Sequence, residues 1–327
     1  MALPQTRQAR VDDAGGPVSS AAPTGTGAGV SNNGGAATLL RVQDATMQFG
    51  GLTALTTFCL EVKAGDLQGL IGPNGAGKTT AFNVMTGVYR PTSGDIIVDG
   101  ERVNGHLPHQ VNRAGLARTF QNIRLFKDLS ALDNIKVACL ADDRPASSMF
   151  SRTRVNALRK QGNFVGARTL DAWGNYLDWW RALLTTSGFR ADEERITERA
   201  TRLLEVMGLQ HRKDELARNL PYGEQRRLEI SRALATSPKV LLLDEPAAGM
   251  NTREKSELMI LIRKIRDDFK LGVLLIEHDM KLVMGICERI TVLDHGETIA
   301  SGTPAEVKND KKVIEAYLGV ESKELQA

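Results

Sequence analysis

The sequence predicts an α/β fold: a mixed central sheet, flanked by an antiparallel β subdomain and joined to a largely helical subdomain. Three observations carry that expectation. Leu67-Gln-Gly-Leu-Ile71, Val240-Leu-Leu-Leu-Asp244 and Val273-Leu-Leu-Ile-Glu277 are short, mainly apolar runs, the pattern of strands buried on both faces of a parallel sheet. Two hairpin signals, Gly50-Gly51 and Asp99-Gly100, separate strand-like segments before residue 104. Ile196, Ala200, Leu203, Leu204 and Met207 recur at helical spacing with charges between them, which predicts an amphipathic helix with one buried stripe.

In chain order, residues 1 to about 37 are mostly Gly, Ala, Ser, Thr and Pro. That composition buries too little apolar surface to offset the entropy of ordering, so the segment is expected to be a disordered tail, either a passive extension or a docking arm. Strands are expected from Leu39 to Phe49 and from Leu52 to Val62, joined at Gly50-Gly51, and around the Asp99-Gly100 turn within Asp95 to Val103. A stretch from about Asp142 to Arg190 holds all three tryptophans, Trp173, Trp179 and Trp180, and the basic segment Arg152 to Lys160. It has no catalytic pattern; a local helical core, a partner-docking element and a lipid contact are the open readings.

Composition excludes several classes of function. With 42% hydrophobic residues in 327 the chain can bury a sizeable core, and a formal charge of +3 from 42 basic and 39 acidic side chains implies no nucleic-acid partner. Cys59, Cys139 and Cys287 are far apart and lack metal-ligand spacing, so buried thiols in a reducing compartment are expected. No run approaches the roughly 18 apolar residues of a membrane span, and the N-terminus lacks a secretory core. A cytoplasmic chain that meets a membrane only through other proteins is expected.

The chemistry starts at Gly72, Pro73, Asn74, Gly75, Ala76, Gly77, Lys78 and Thr79, which fit G-x-x-x-x-G-K-[ST] after a strand and before a helix. The glycines let successive N–H groups point at phosphate oxygens, the helix presents its positive end to the same anion, and Thr80 continues the cradle. Lys78 is expected to reach the β- and γ-phosphates of ATP and the Thr79 hydroxyl to ligate Mg²⁺. Asp244 and Glu245 close a buried strand where α/β sheets place ligands: Asp244 as the Mg²⁺ carboxylate, through water, and Glu245 as the base that polarises the attacking water. His278 follows the next buried strand and either donates to the γ-phosphate or is structural. Gln121, in Arg118-Thr-Phe-Gln121, is read as an amide able to reach Mg²⁺ and water, or as a surface residue. Phe49 is an adenine-stacking ring or core.

These segments together resemble the ATP-binding subunit of an ABC transporter over about residues 38 to 320, and imply a P-loop NTPase of ABC type. The order matches: aromatic loop Phe49, Walker A Gly72 to Thr79, Q-loop Gln121, signature Leu220-Pro-Tyr-Gly-Glu-Gln225, Walker B Val240 to Asp244 with Glu245, D-loop Ala248-Gly-Met-Asn251 and switch His278. Pro221 and Tyr222 depart from the family's Leu-Ser-Gly-Gly-Gln, and Asn251 replaces the usual D-loop aspartate. The resemblance implies a helical subdomain over about 120–235, an insertion at about 142–190 and a C-terminal tail at 321–327. It also implies a head-to-tail pair of ATPase subunits, homo- or heterodimeric, in which Tyr222, Gly223 and Glu224 contact the nucleotide held by the other subunit. Integral permease subunits would be direct partners and a solute-binding protein an indirect one, at the cytoplasmic face of the inner membrane. Arg118 to Phe126, Tyr222 to Ile230, Asp244 to Gly249, Ile276 to Met284 and Ala316-Tyr-Leu-Gly319 are similar to the first ATPase subunit of bacterial branched-chain amino-acid importers. Urea or other amides, and a soluble ABC-type ATPase, are the alternatives.

Overall fold

The computed structural model describes residues 36–142 and 187–324. The expectations for residues 1–35, for the three tryptophans and for Arg152 to Lys160 lie outside the described residues.

Strand β1 (Thr38–Phe49) pairs antiparallel with β2 (Leu52–Lys63), with Phe49 opposite Leu52 across Gly50-Gly51. Further along, β4 (Ser93–Val98) pairs with β1 and with the short β5 (Glu101–Arg102), Val98 facing Glu101. At that second turn Asp99 and Gly100 have φ of 48° and 78°; two consecutive left-handed residues suit a tight hairpin, which is why Asp-Gly works there. The resulting sheet has the order β2-β1-β4-β5.

The second sheet is built from β3 (Leu67–Ile71), β6 (Leu116–Arg118), β7 (Val240–Asp244), β8 (Gly272–Ile276) and β9 (Arg289–Asp294), all parallel, with β10 (Glu297–Gly302) antiparallel to β9. Its order is β10-β9-β3-β8-β7-β6. The three apolar runs are its centre. Successive residues serve opposite faces: Leu241, Leu243, Val273 and Leu275 join one core, Val240, Leu242, Leu274 and Ile276 the other. That two-sided burial explains why no polar alternation shows in the sequence, and each fully buried Leu, Ile or Val contributes about 1.5–3 kcal/mol.

One core lies between this sheet and the antiparallel subdomain, with α1 (Lys78–Met85) and α2 (Pro108–Ala114) in the same layer. The opposite core gathers α3 (Ala131–Asp142), α4 (Ser187–Val206), α5 (Tyr222–Leu234), α6 (Thr252–Phe269) and α7 (Met280–Ile286), with α8 (Pro304–Lys308) and α9 (Lys311–Glu324) behind β10. Ile196, Ala200, Leu203 and Leu204 form the buried stripe of α4, and Met207, just past its end, is buried with them.

One expectation needs correction. Cys139 and Cys287 are buried, but Cys59 is exposed. On β2 its neighbours Phe58 and Leu60 face the core, so strand alternation turns Cys59 outward, where the backbone N–H of Asp44 donates to its sulfur at 3.3 Å.

Candidate functional site: the carboxyl edge of the parallel sheet

Because β3, β6, β7 and β8 run the same way, their carboxyl ends deliver the phosphate loop, Arg118 to Gln121, Asp244-Glu245 and Glu277-His278 to one edge. The loop after Ile71 closes on itself through Ala76 N–H donating to Pro73 C=O at 3.2 Å. Gly77, at φ 99°, is the N-cap of α1, and a Cβ there would stand 2.7 Å from the Ala54 carbonyl oxygen. Both its backbone angle and its surroundings therefore require glycine. Lys78 is buried at the start of α1 and its ammonium donates to the carbonyls of Gly72 at 2.6 Å and Pro73 at 2.8 Å, curled inside the loop. Burial lowers its pKa, and the charges of Glu245 and Asp244 pull it back up. Thr79 is exposed and Thr80 half-buried on the first turn of α1, beside exposed Asn74 and Gly75 and buried Gly72, Pro73 and Ala76.

Three predicted residues from three separate segments come into direct contact. Gln121 Nε2 donates to Glu245 Oε2 at 2.9 Å, and Nε2 of His278 lies 2.5 Å from Glu245 Oε1. Glu245 sits at φ 46°, a left-handed conformation that a glutamate adopts only under constraint. Two bonds hold the turn: Glu245 N–H donates to Ile276 C=O at 2.9 Å, and the N–H of Ala247 donates to buried Glu277 Oε1 at 2.8 Å. Glu277 has its pKa raised, first by desolvation, with the like charge of Glu245 adding to it. His278 is exposed; the next residue, Asp279, caps α7 by accepting from Leu282 N–H at 3.3 Å.

Asp244 is 5% exposed and its Oδ2 is paired with Arg118 Nη2 at 2.6 Å. Phe49 is 41% exposed and stands edge-on to Tyr89, ring centroids 5.1 Å apart, so it is not core.

The signature residues have partners of their own. Tyr222 is exposed with its hydroxyl 3.5 Å from Arg226 Nη2, half-buried Gly223 follows it, and Glu224 pairs with Arg212 Nε at 3.3 Å. Pro221 N-caps α5 without a side-chain hydrogen bond, so the first-turn N–H groups gain no partner from it. Behind them Arg226, fully buried, bonds Glu229 Oε2 at 2.7 Å and the carbonyls of Phe120 at 2.6 Å and Gln121 at 2.8 Å, while Glu229 Oε1 accepts from the N–H groups of Phe120 and Arg124. The helix that carries the signature therefore grips the loop that carries Gln121. Asn251 caps α6: its Oδ1 accepts from Glu254 N–H at 2.9 Å while Glu254 Oε2 accepts from Asn251 N–H at 3.0 Å. An amide oxygen serves that reciprocal cap as well as a carboxylate would, so the cap tolerates Asn in place of Asp.

Comparison with known proteins decides the family. The family model described as "ABC transporter" matches residues 55–248. This chain belongs to the ABC transporter ATP-binding family. A second family model, "Branched-chain amino acid ATP-binding cassette transporter", matches residues 297–323 of this ABC ATPase. The cassette is 42% identical over 281 residues to the high-affinity branched-chain amino acid transport ATP-binding proteins LivG of Salmonella typhimurium and BraF of Pseudomonas aeruginosa, covering 86% of this chain and 98% of each relative. It is 30% identical over 281 residues to LptB, the lipopolysaccharide export system ATP-binding protein of Escherichia coli, covering 86% of this chain and 97% of the relative. Among solved structures it resembles the ADP conformation of MJ1267, an ATP-binding cassette of an ABC transporter, with TM-score 0.67 and 26% identity over 86% of this chain and 99% of that one. The ABC cassette fold predicted from the motif order is the fold found, and the family binds ATP or ADP and hydrolyses ATP. The donors expected from the sequence, the Thr79 hydroxyl, Asp244 carboxylate and Gln121 amide oxygen, are hard oxygens, and among the described residues no cluster of His, Cys, Asp and Glu could hold a metal by itself. Such a set fits Mg²⁺ brought in by phosphates and water.

Arg118, Asn83, Arg226, Glu229 and Glu277 adjoin these residues in the structure, and sequence reasoning passed them over as site residues. Nothing in the sequence marked Arg118, because three residues are too few to reveal β6 or its place beside β7.

Proposed function

We propose that the chain is the ATP-hydrolysing motor of a membrane importer for branched-chain amino acids, working as a peripheral subunit at the cytoplasmic face. The observation that carries the chemistry is the Gln121–Glu245–His278 contact at the sheet edge that bears the phosphate loop. The match of residues 297–323 and the near full-length relatives support the substrate class.

In this reading the loop N–H groups and Lys78 hold the β- and γ-phosphates and Phe49 stacks on the adenine, steadied by Tyr89. Thr79, Asp244 and Gln121 would hold magnesium, which would supply charge neutralisation of the phosphates. Glu245 takes the proton of the water whose oxygen attacks the γ-phosphorus; the bond to the β-phosphate oxygen breaks, leaving ADP and phosphate. Gln121 orients Glu245 and the water, and His278 donates to the γ-phosphate. Tyr222, Gly223 and the first-turn N–H groups of α5 serve the nucleotide of a second ATPase subunit, with Glu224 beside them. A nucleotide bridging two half-sites stabilises the closed pair by mass action, and its hydrolysis releases it. Among the described residues no helix is long and apolar enough to cross a membrane; in this reading the transport path belongs to permease subunits.

The test is purification from membranes with the associated integral subunits, followed by reconstitution. ATP-dependent uptake of leucine or valine is the expected result. Uptake of urea or another amide instead would replace the substrate, and a chain that copurifies with no integral protein would remove the importer reading.

A further inference from the structure

Arg118 ends β6 one strand away from the carboxyl end of β7, and both members of its pair with Asp244 are nearly buried, with side-chain exposures of 9% and 8%. Its other terminal nitrogen, Nη1, donates to Asn83 Oδ1 at 2.7 Å, and Asn83 lies on α1, one helical turn beyond Thr79. The guanidinium is caged by two rings, its carbon 5.4 Å from the centroid of Phe82 and 5.3 Å from that of Phe120. Thr119 Oγ1, next in the chain, accepts from the N–H of Asp244 at 3.4 Å. A planar fork fixed at both tips occupies Oδ2 of Asp244 and restrains the carboxylate.

We propose that Arg118 is a positioning residue for the magnesium carboxylate: it clamps Oδ2 of Asp244 against the helix of the phosphate loop, so that Oδ1 alone is presented to the cation. The proposal rests on the reading of Asp244 as the magnesium-side carboxylate. Outer partners that orient a metal-binding group typically change metal affinity by about 10–100-fold when removed. A role exerted only through the cation predicts that nucleotide binding without metal is unchanged.

The experiment uses the full chain with ATP and Mn²⁺ in place of Mg²⁺, reading bound Mn²⁺ by electron paramagnetic resonance and nucleotide binding separately in EDTA. Arg118→Met is expected to raise the Mn²⁺ concentration for half-saturation of the ATP complex about tenfold or more, with ATP binding in EDTA unchanged. Arg118→Lys, which keeps a cation beside Oδ2, is expected to recover part of that loss. Asn83→Ser, which removes only the second anchor, should move the same way by less, and it keeps the test open if Arg118→Met fails to fold. Wild-type Mn²⁺ affinity in the folded variants, or tighter Mn²⁺ binding, would overturn the clamp. Asp244→Asn with wild-type half-saturation by Mn²⁺ would instead overturn the reading of Asp244 beneath it.

Discussion

Two polar clusters lie a few residues apart and are built on opposite terms. In the first, Glu245 is held by Gln121 and His278, both exposed side chains on separate loops. In the second, Arg226 and Glu229 are neighbours on one helix, at 0% and 5% exposure, and their hydrogen bonds go to the backbone of Phe120, Gln121 and Arg124. An open cluster can exchange its partners for a ligand at little cost. A buried one cannot, because any unpaired member would be left charged in a low-dielectric interior. The difference fits the proposed function as a division of labour: the first cluster would do the chemistry, and the second holds the Gln121 loop to the signature helix.

The sharpest way to break the contrast is Glu245→Gln. Loss of a general base predicts a fall in phosphate release of about 10²–10⁴-fold, with nucleotide titration and the thermal midpoint near wild type. A large loss of stability would mean that the open cluster is structural after all. Lys78→Ala, at the same edge, should abolish nucleotide binding with fluorescent ATP as the probe.

Arg226→Met tests the other side. Leaving Glu229 buried without its partner is expected to cost about 3–5 kcal/mol in urea unfolding, and Arg226→Met with Glu229→Leu should recover most of it. The sign of Glu229's own shift agrees: burial raises its pKa despite Arg226, so the pair compensates desolvation only in part. A change under about 0.5 kcal/mol for the single variant, the range of ordinary surface substitutions, would erase the distinction between the clusters.

Smaller effects sharpen the boundary. Asn251→Ala should cost about 1 kcal/mol through loss of the α6 cap, while Asn251→Asp should be close to neutral in stability. Last, thiol labelling of the native protein at pH 8 should modify Cys59 alone, with all three cysteines reacting after denaturation. Cys139 is buried and burial pushes the Cys287 thiol up to about 12.

Much of this was legible in one dimension. The apolar runs at β3, β7 and β8 were readable because strands buried on both faces need no polar alternation, and the Asp99-Gly100 turn because few dipeptides tolerate two left-handed residues in succession. The ordered motifs located the edge where Gln121, Glu245 and His278 meet. Strand β6 was not readable: three residues are too few to show a period, and β9 and β10 carried no turn signal that the reading used.

What the sequence determined by itself is therefore the set of residues whose chemistry requires a local pattern: a phosphate loop needs glycine at fixed spacing, and a strand buried on both faces needs an apolar run. What only the tertiary structure decided is which side chains share a charge across long separations. Arg118 finds Asp244 across 126 residues and Arg226 finds the backbone of Phe120 across 106, because parallel strand order and helix packing bring them together. An ion pair of that kind leaves no periodic trace along the chain; it exists only once the sheet has chosen its neighbours.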